Sequence, residues 1–289
     1  MSEFDEISDE ERLQIAQHFL MNSPPAQYGL VSADVKKLLP DGCMPSTMEK
    51  DIAKKYNLKN CRVVKAPSGA LIALHEAGVV NGGDHCVDSS NGSVFKIDHL
   101  TMETSVAESE VSYQADSTLE GKRAAVGEAI SNYMEKKFTG DASAGSVYAK
   151  DGTIYIAITG ERSNLRNMYC GKWNSQFKIE KIDGGKATIS GDTKVHNHYF
   201  EEGNIQLQSN KPVVSKEISF DSEKELAEKA VEVINNTEQE TQISLHEIIG
   251  NAHIATLKEL RKASTVHKVK MQWNKNTVKM VSQLTKQGK

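Results

Sequence analysis

The sequence has little of what disulfide-bonded, zinc-binding or membrane-spanning proteins require. Its 289 residues include four cysteines, and none of them has the C-x-x-C spacing of a zinc or redox site. No apolar stretch approaches the roughly 20 residues that span a bilayer, and the N-terminal residues are polar and acidic rather than signal-like. We therefore expect a cytoplasmic protein that does not cross a membrane and binds no metal, in which Cys43, Cys61, Cys86 and Cys170 are free thiols.

The common catalytic and phosphate-binding signatures are also missing. The chain contains no G-x-x-x-x-G-K-[ST], G-x-G-x-x-G, G-x-S-x-G or H-E-x-x-H motif. His196 and His198 share one strand face, a spacing that a metal site uses, but no third ligand is near them in sequence, so we interpret them as ordinary strand residues. Cys86 next to His85 is interpreted as a loop cysteine rather than a thiolate–imidazolium pair. We expect neither an enzyme nor a cofactor.

A long helix dominates the last third of the chain. Residues 223–260 contain no proline and one glycine, and Ser222 with Glu225 has the S-x-x-E form of a capping box. Apolar or small residues recur every three or four positions, from Leu226 to Leu260, and form one stripe. A helix over residues 222–262 would be roughly 60 Å long, which exceeds the roughly 50 Å diameter of a compact chain of this size. We therefore expect the helix to extend beyond this chain's core or to lie against a partner.

The basic charge is concentrated after this helix. Residues 257–289 contain nine Lys or Arg and one acidic residue, whereas residues 1–256 contain 26 basic and 38 acidic residues. Trp273, Met280, Val281 and Leu284 lie on one side of a helical wheel, which predicts a short basic amphipathic helix. Such a helix binds a protein groove, an acidic surface or a membrane, and a solvated terminus is the alternative. The acidic body and the lack of interleaved aromatic residues argue against a nucleic-acid partner.

The rest of the chain predicts helices followed by an antiparallel sheet. S-x-x-E boxes at Ser8, Ser46 and Ser117 predict helix starts, and a further helix is predicted over residues 32–39. Strands are predicted at residues 70–75, 93–99, 146–150, 153–159, 172–182, 194–201, 204–209 and 213–220, with a loop or irregular hairpin at 81–92. Short turns, including Asp151-Gly152, join consecutive strands and indicate a meander. In the predicted strand, Trp173 and Phe177 share a face and are interpreted as core or interface aromatics.

Several motifs occur in the same order as in one known family. They are HFLMNSPPAQY at residues 18–28, FKIDHL at 95–100, GKWNSQF at 171–177, VHNHYFEEGNIQL at 195–207, and LKELRK and KMQWNK at 257–262 and 270–275. Over roughly residues 10–284 the chain resembles the alpha subunit of F-actin-capping protein, the CapZ family. Cys170 stands where the family has Asn, Phe177 where it has a second Trp, and Ser264-Thr265 where it has Leu-Pro. The chain is thus identified as a divergent member.

The resemblance implies a non-catalytic protein that pairs with a homologous beta subunit. Together the two subunits would cap the barbed, fast-growing ends of actin filaments independently of calcium and block subunit exchange there. The resemblance also implies a location at the cortical actin cytoskeleton, with phosphatidylinositol bisphosphate and capping regulators as further ligands. It assigns actin binding to Lys258, Arg261, Lys262, Lys268, Lys270, Trp273, Met280, Val281 and Leu284. Candidates for the subunit interface are Trp173, Phe177, Leu245 and Ile248.

The predicted fold class is α+β, in four parts. Residues 1–60 form a three-helix stalk, and residues 61–220 form an antiparallel sheet with one inserted helix at about 117–138. Residues 221–263 form the long helix over the sheet, and residues 264–289 form a basic amphipathic tentacle. The alternative function is that of a peripheral adaptor that binds acidic lipid or acidic protein surfaces through the basic tail.

Overall fold

The computed structural model of the chain describes residues 7–107, 111–138, 142–201 and 204–251. The chain begins with three helices, α1 (Asp9–Met21), α2 (Tyr28–Leu38) and α3 (Ser46–Lys59). Six short strands follow: β1 (Val63–Lys65), β2 (Leu71–Ala73), β3 (Val79–Val80), β4 (His85–Val87), β5 (Val94–Ile97) and β6 (Thr104–Val106). After helix α4 (Glu120–Lys137) come β7 (Ser143–Lys150), β8 (Thr153–Asn164), β9 (Tyr169–Asp183), β10 (Lys186–Tyr199) and β11 (Ile205–Ser219). The last described element is helix α5 (Glu223–Asn251).

Helices α1, α2 and α3 pack together as the predicted stalk. The predicted box at Ser8 is present: the Ser8 Oγ accepts from the Glu11 N–H at 3.3 Å, and the Glu11 carboxylate accepts from the Ser8 N–H at 2.9 Å. Seven buried side chains join the three helices: Ala16, Leu20, Tyr28, Val35, Ile52, Ala53 and Tyr56. This mixed helix and antiparallel-sheet arrangement confirms the predicted fold class.

Two of the predicted helix caps are wrong. Helix α3 starts at Ser46 itself, and the Glu49 carboxylate binds Ser32 Oγ at 3.2 Å and Lys36 Nζ at 2.7 Å instead of closing a box. Helix α4 starts at Glu120 rather than near Ser117. There the Asp116 carboxylate accepts from the Thr118 N–H and hydroxyl and holds the preceding turn outside the helix. In both places a nearby polar partner competes with the cap.

Residues 81–92, predicted as a loop or irregular hairpin, contribute strand β4 to a small antiparallel sheet. Strands β3, β4, β5 and β6 pair antiparallel in that order, with a 3-10 turn at Asn81–Gly83 between β3 and β4. The helical stalk is joined to this region by the two-stranded sheet β1–β2. Phe95 and Cys86, directly paired across β4 and β5, are both 1% exposed, and they fill the core of this sheet.

The main sheet is a five-stranded antiparallel meander in the order β11-β10-β9-β8-β7. The predicted hairpin between β7 and β8 is present, and Asp151 and Gly152 both have the positive φ (52° and 71°) that a tight primed turn requires. The strands are longer than expected: β9, β10 and β11 have 15, 14 and 15 residues, and the two predicted strands at 204–209 and 213–220 are one strand.

Helices α4 and α5 cover one face of the main sheet. The predicted Ile154, Ile156 and Ile158 all point into this layer with no exposed surface. Burial of such aliphatic side chains contributes about 1.5–3 kcal/mol each. The opposite face carries Ala144 and Ala157, which pack against Ala73 and Cys61, and farther along it is polar where it meets the stalk.

Candidate subunit interface and actin-binding surface

The predicted actin contacts all lie outside the described residues. They are Lys258, Arg261, Lys262, Lys268, Lys270, Trp273, Met280, Val281 and Leu284. The described residues that precede them in the chain form helix α5, the sheet beneath this helix and the edge of that sheet.

Helix α5 is anchored to the sheet by the first part of its stripe. Leu226, Ala230 and Ile234 have no exposed surface and pack against α4 and the main sheet. The stripe then becomes polar: the hydroxyls of Thr237 and Thr241 donate to carbonyls four residues earlier in the helix, both at 2.8 Å. The hydrogen-bond donors of both hydroxyls are therefore satisfied within the helix, and the two threonine side chains are buried.

A buried carboxyl group stands at the centre of this polar stretch. Glu238 is 2% exposed; its Oε1 accepts from Ser175 Oγ at 2.7 Å and from Trp173 Nε1 at 3.1 Å, and its Oε2 accepts from the Tyr133 hydroxyl at 2.7 Å. Burial raises the pKa of the Glu238 carboxyl, and the three hydrogen bonds oppose that rise. Ser175 also contacts Thr193 Oγ1 at 3.1 Å, so the group joins α4, α5, β9 and β10. We call these five side chains the Glu238 cluster.

The Glu238 cluster was missed by sequence reasoning, although its signal is in the sequence. The predicted stripe of apolar or small residues does not include Glu238, although Glu238 lies four residues after the buried Ile234 and so on the same face. An acidic residue inside an apolar stripe indicates a buried polar partner. The partners Trp173 and Ser175 belong to the GKWNSQF motif, whose x-W-x-S pattern places both side chains on one strand face.

The four interface candidates fall into two groups. Trp173 and Phe177 are 1% and 2% exposed and lie in the core beneath the chain's own helices. Leu245 is also buried in that core, at 8% exposure, whereas Ile248 is 48% exposed. Ile248 thus remains the candidate that a partner could contact directly, and the other three support the layer from inside.

Strand β11 is an edge strand of the main sheet as far as the structure describes it. Among the described residues it pairs with β10 only, along its full length. At the opposite edge, β7 is flanked by β2, and the Ala73 N–H donates to Ser146 Oγ at 3.0 Å. The β11 edge carries Pro212 and the exposed Lys216, two residue types that discourage indiscriminate strand pairing. An edge of this length offers a selective partner a long ladder of backbone hydrogen bonds.

His196 and His198 make hydrogen bonds that connect neighbouring strands and the stalk. His198 Nδ1 accepts from the Gln27 amide of the stalk at 3.0 Å, and its Nε2 donates to Asn204 Oδ1 at 2.9 Å. His196 Nε2 lies 3.0 Å from Gln206 Oε1 on the next strand. Burial lowers the pKa of both imidazoles, so both are neutral at pH 7. Within the described ranges, no cluster of three potential metal ligands is found.

The cysteines are free thiols, as predicted. All four cysteines are free, and burial raises the pKa of the Cys61, Cys86 and Cys170 thiols to about 12. At that pKa the thiols stay protonated and unreactive near neutral pH. In the part of the chain that the structure describes, no helix combines the length and apolar character of a membrane span.

Comparisons with known proteins agree with this architecture. The family model described as "F-actin capping protein alpha subunit" matches residues 16–283. The chain is 27% identical over 283 residues to the F-actin-capping protein subunit alpha of Dictyostelium discoideum, a match that covers 96% of this chain and 99% of the relative. To the corresponding subunit of Caenorhabditis elegans it is 28% identical over 274 residues, which cover 93% and 95% of the two chains.

A solved structure shares the fold. It is the structure of the homodimeric actin capping protein alpha subunit from Plasmodium berghei, which aligns with a TM-score of 0.68 at 20% sequence identity. The alignment covers 91% of this chain and 98% of that chain. At this identity the likeness concerns the arrangement of the elements, and the assembly described in that title belongs to that protein.

Proposed function

Because the chain belongs to the F-actin capping protein alpha subunit family, we propose that it is the alpha subunit of a heterodimer that binds the barbed ends of actin filaments and blocks subunit exchange there. The observation that carries this proposal is the extent of the family match, residues 16–283, which includes stalk, sheet, long helix and most of the basic tail. The proposed activity is binding rather than catalysis, and it does not depend on calcium. The protein would act at the cytoskeleton, in particular at cortical actin.

The beta subunit is proposed to pair with the free edge of β11. A homologous partner that contributes its own edge strand would extend the meander and satisfy the outward-facing backbone groups of a 15-residue strand. The exposed Ile243 (59%) and Ile248 (48%) in the second half of α5 supply apolar contacts for the same partner. Expressed alone, the chain is expected to aggregate, because edge strands and apolar patches without partners associate indiscriminately.

Self-pairing through the same edge is the competing assembly. The similar chain from Plasmodium berghei is homodimeric by its title, and a sheet edge accepts a copy of itself by two-fold symmetry. Light scattering after size exclusion separates the cases: we expect aggregates for the chain alone and a 1:1 complex after co-expression with a beta subunit. A monodisperse homodimer that a beta subunit does not dissociate would contradict the proposed heterodimer.

The basic tail is proposed to make the actin contacts. Its lysines and Arg261 would draw the protein toward acidic actin surface, because long-range charge acts mainly on the rate of encounter. The apolar face with Trp273 would then dock in a groove on actin, where a large side chain contributes about 1.5–3 kcal/mol. Helix α5, fixed to the sheet by its buried stripe, would give the tail a rigid base.

A seeded actin-elongation assay tests the proposal. We expect substoichiometric heterodimer to stop barbed-end growth equally in calcium and in chelator. Trp273→Ala should raise the dissociation rate more than it lowers the association rate, because an aromatic anchor acts after docking. The matched control is Trp173→Phe, which alters the buried tryptophan and should act through stability instead.

The result also distinguishes capping from the adaptor alternative. An adaptor would bind anionic vesicles through the tail as an isolated chain and leave actin elongation unchanged. A heterodimer with no effect on elongation at micromolar concentration would refute the capping proposal, whatever its affinity for lipid.

A further inference from the structure

A cavity of about 350 Å³ lies between the helical stalk and the polar face of the main sheet. Its walls are the C-terminal ends of α1 and α3, with Lys59 at the rim. Its floor consists of two rows of side chains that cross β9, β10 and β11 at paired positions: Lys172, His196 and Gln208, and Asn174, Lys194 and Asn210. Both rows therefore end at β11, the edge strand that the beta subunit is proposed to extend.

The stalk covers the beginning of each row and leaves its end open. On β9, Lys172 and Asn174 are 6% and 5% exposed. By contrast, Lys194 on β10 and both Gln208 and Asn210 on β11 are exposed. A strand that pairs with β11 would lengthen both rows by one residue, because residues directly opposite each other on neighbouring strands point to the same face of the sheet.

The cavity is positively charged. Lys59, Lys172 and Lys194 line it, and none of the described lining residues is acidic. Two carboxylates outside the lining contact these lysines: Glu161 is 3.5 Å from Lys172 Nζ, and Asp192 is 2.7 Å from Lys194 Nζ. Three lysines thus share two carboxylates, and the excess of positive charge favours a further anionic group.

The part of β11 beside the cavity cannot supply that group. Its residues on the polar face are uncharged: Gln206, Gln208, Asn210 and Pro212. A second copy of the chain, paired through a two-fold axis centred on these residues, would add only amides and a proline. The charge of Lys59 and Lys194 therefore favours a partner strand of a different sequence.

We infer that the cavity receives an acidic side chain from the edge strand of the beta subunit, at the position opposite Gln208 or Asn210. This inference rests on the proposed heterodimer and names a contact within it. The carboxylate would accept from the Asn210 amide and from Lys194 Nζ, and Lys59 would approach it from the stalk. Neighbouring strands lie about 4.8 Å apart, so the partner strand and β10 are roughly 10 Å apart, a distance that the side chains of Glu and Lys together span.

Such a contact would fix both the partner and its register. A slip of one residue turns every side chain of the partner strand to the other face of the sheet and would remove the carboxylate from the cavity. A partner with a neutral residue at this position would leave the lysines without a counter-charge, so the contact discriminates among strands that offer the same backbone hydrogen bonds.

Competition for a limiting amount of beta subunit tests the contact in the full-length protein. Wild-type and variant chains are co-expressed with a tagged beta subunit from the same organism, and mass spectrometry gives their ratio in the purified complex. We expect Lys194→Glu to be recovered at least tenfold less than wild type, because it places a second carboxylate beside that of the partner.

The matched control is Lys178→Glu, on the same face of the sheet but outside the cavity. The side chains of Lys178 and Lys194 are 46% and 50% exposed, and each contacts a carboxylate two residues away, Glu180 and Asp192. Both substitutions therefore create the same repulsion within the chain. We expect the control to be recovered within twofold of wild type, and an equal loss in the control would overturn the inference.

Charge exchange then identifies the residue of the partner. Each acidic residue of the beta subunit's edge strand is replaced with Lys in turn, and one replacement should restore recovery of Lys194→Glu to at least half that of wild type. If none restores it, or if Lys194→Glu competes as well as wild type, the inference is wrong.

The elongation assay separates this result from the proposed function. A complex that shows the charge exchange but does not stop barbed-end growth would contradict capping alone. A complex that stops growth and is indifferent to Lys194→Glu would contradict the contact alone. Failure to form any complex with the beta subunit would contradict both.

Discussion

The Glu238 cluster predicts a strongly non-additive pair of substitutions. Glu238→Leu alone removes the acceptor of the Tyr133 hydroxyl. Trp173 Nε1 retains its hydrogen bond to Ser175 Oγ at 3.0 Å, and Ser175 retains its hydrogen bond with Thr193. One buried donor is therefore left without a partner, at a cost of about 1–3 kcal/mol. Tyr133→Phe alone leaves the Glu238 Oε2 without its donor, at a similar cost.

The double variant Tyr133→Phe/Glu238→Leu should be close to the wild-type stability. Both members of the bond are then apolar and similar in shape, and the remaining Trp173, Ser175 and Thr193 satisfy one another. We expect a coupling free energy between the two substitutions of about 2 kcal/mol or more. It is measured by urea denaturation of the full-length protein, and coincident fluorescence and circular dichroism transitions would show that unfolding is two-state. Additive losses in the double variant would refute the hydrogen-bond account of the cluster.

The same variants predict a pH dependence. The folded Glu238 carboxyl has a raised pKa, so between the unfolded value of about 4.3 and the folded pKa the native state binds more protons than the unfolded state. The contribution of Glu238 to stability is therefore full below about pH 4.3 and is lost as the pH rises through the folded pKa. We expect the stability difference between wild type and Glu238→Leu to decrease from pH 5 to pH 8, and the exposed control Glu232→Leu to show no such trend.

Three further outcomes are expected. Replacing three tail lysines with Glu should slow capping more than it speeds uncapping, and the deficit should shrink above about 0.1 M salt; a salt-independent deficit would contradict electrostatic steering. The residues are Lys258, Lys262 and Lys268. Truncation after Thr265 should leave the melting temperature of the heterodimer unchanged and greatly weaken capping in elongation assays, whereas a truncated heterodimer of full potency would move the actin site off the tail. Gly191→Ala should lower the free energy of unfolding by about 1–3 kcal/mol in urea melts, because the new Cβ would overlap a backbone carbonyl of β9 and the Phe177 ring; Gly29→Ala, with open space around it, is the control.

Local patterns in the sequence predicted the parts of the fold that depend on neighbouring residues. The alternation of Ile154, Ile156 and Ile158 and the turn at Asp151-Gly152 were sufficient to place the hairpin, because strand period and turn chemistry act over a few residues. The capping box at Ser8 is present, and no distant group in the described part of the chain competes for Glu11.

The mispredictions have several causes, of which contacts between residues far apart in sequence are one. Glu49 has the right spacing for a box with Ser46, but it binds Ser32 and Lys36 of the neighbouring helix. Residues 204–209 and 213–220 were predicted as two strands, yet they form the single strand β11 with Pro212 inside it, because an edge strand bonds on one side and tolerates a residue without an N–H. The two- and three-residue strands β3 and β4 are too short to show a period.

The candidate site likewise has parts that local sequence patterns predict and parts that depend on contacts between distant residues. The x-W-x-S pattern and the charge of the tail were visible in sequence, since each is a local feature. That Trp173 and Ser175 bind Glu238, 65 and 63 residues away, follows only from the way α5 crosses the sheet. The cavity between the helical stalk and the main sheet likewise combines residues from α1, α3 and three strands, so no single motif marks it.

The order of elements along the chain has a consequence for synthesis. Strands β7 to β11 pair with sequential neighbours through short connections, so the sheet can form as soon as these residues have left the ribosome. Helix α4 precedes the sheet and can cover part of its apolar face at once, but α5 is made afterwards. At about 5–20 residues per second, the 29 residues of α5 take about 1.5–6 s to synthesise. During those seconds Trp173 and Phe177 have no cover from α5, and the nascent chain is then most dependent on chaperones and most open to aggregation.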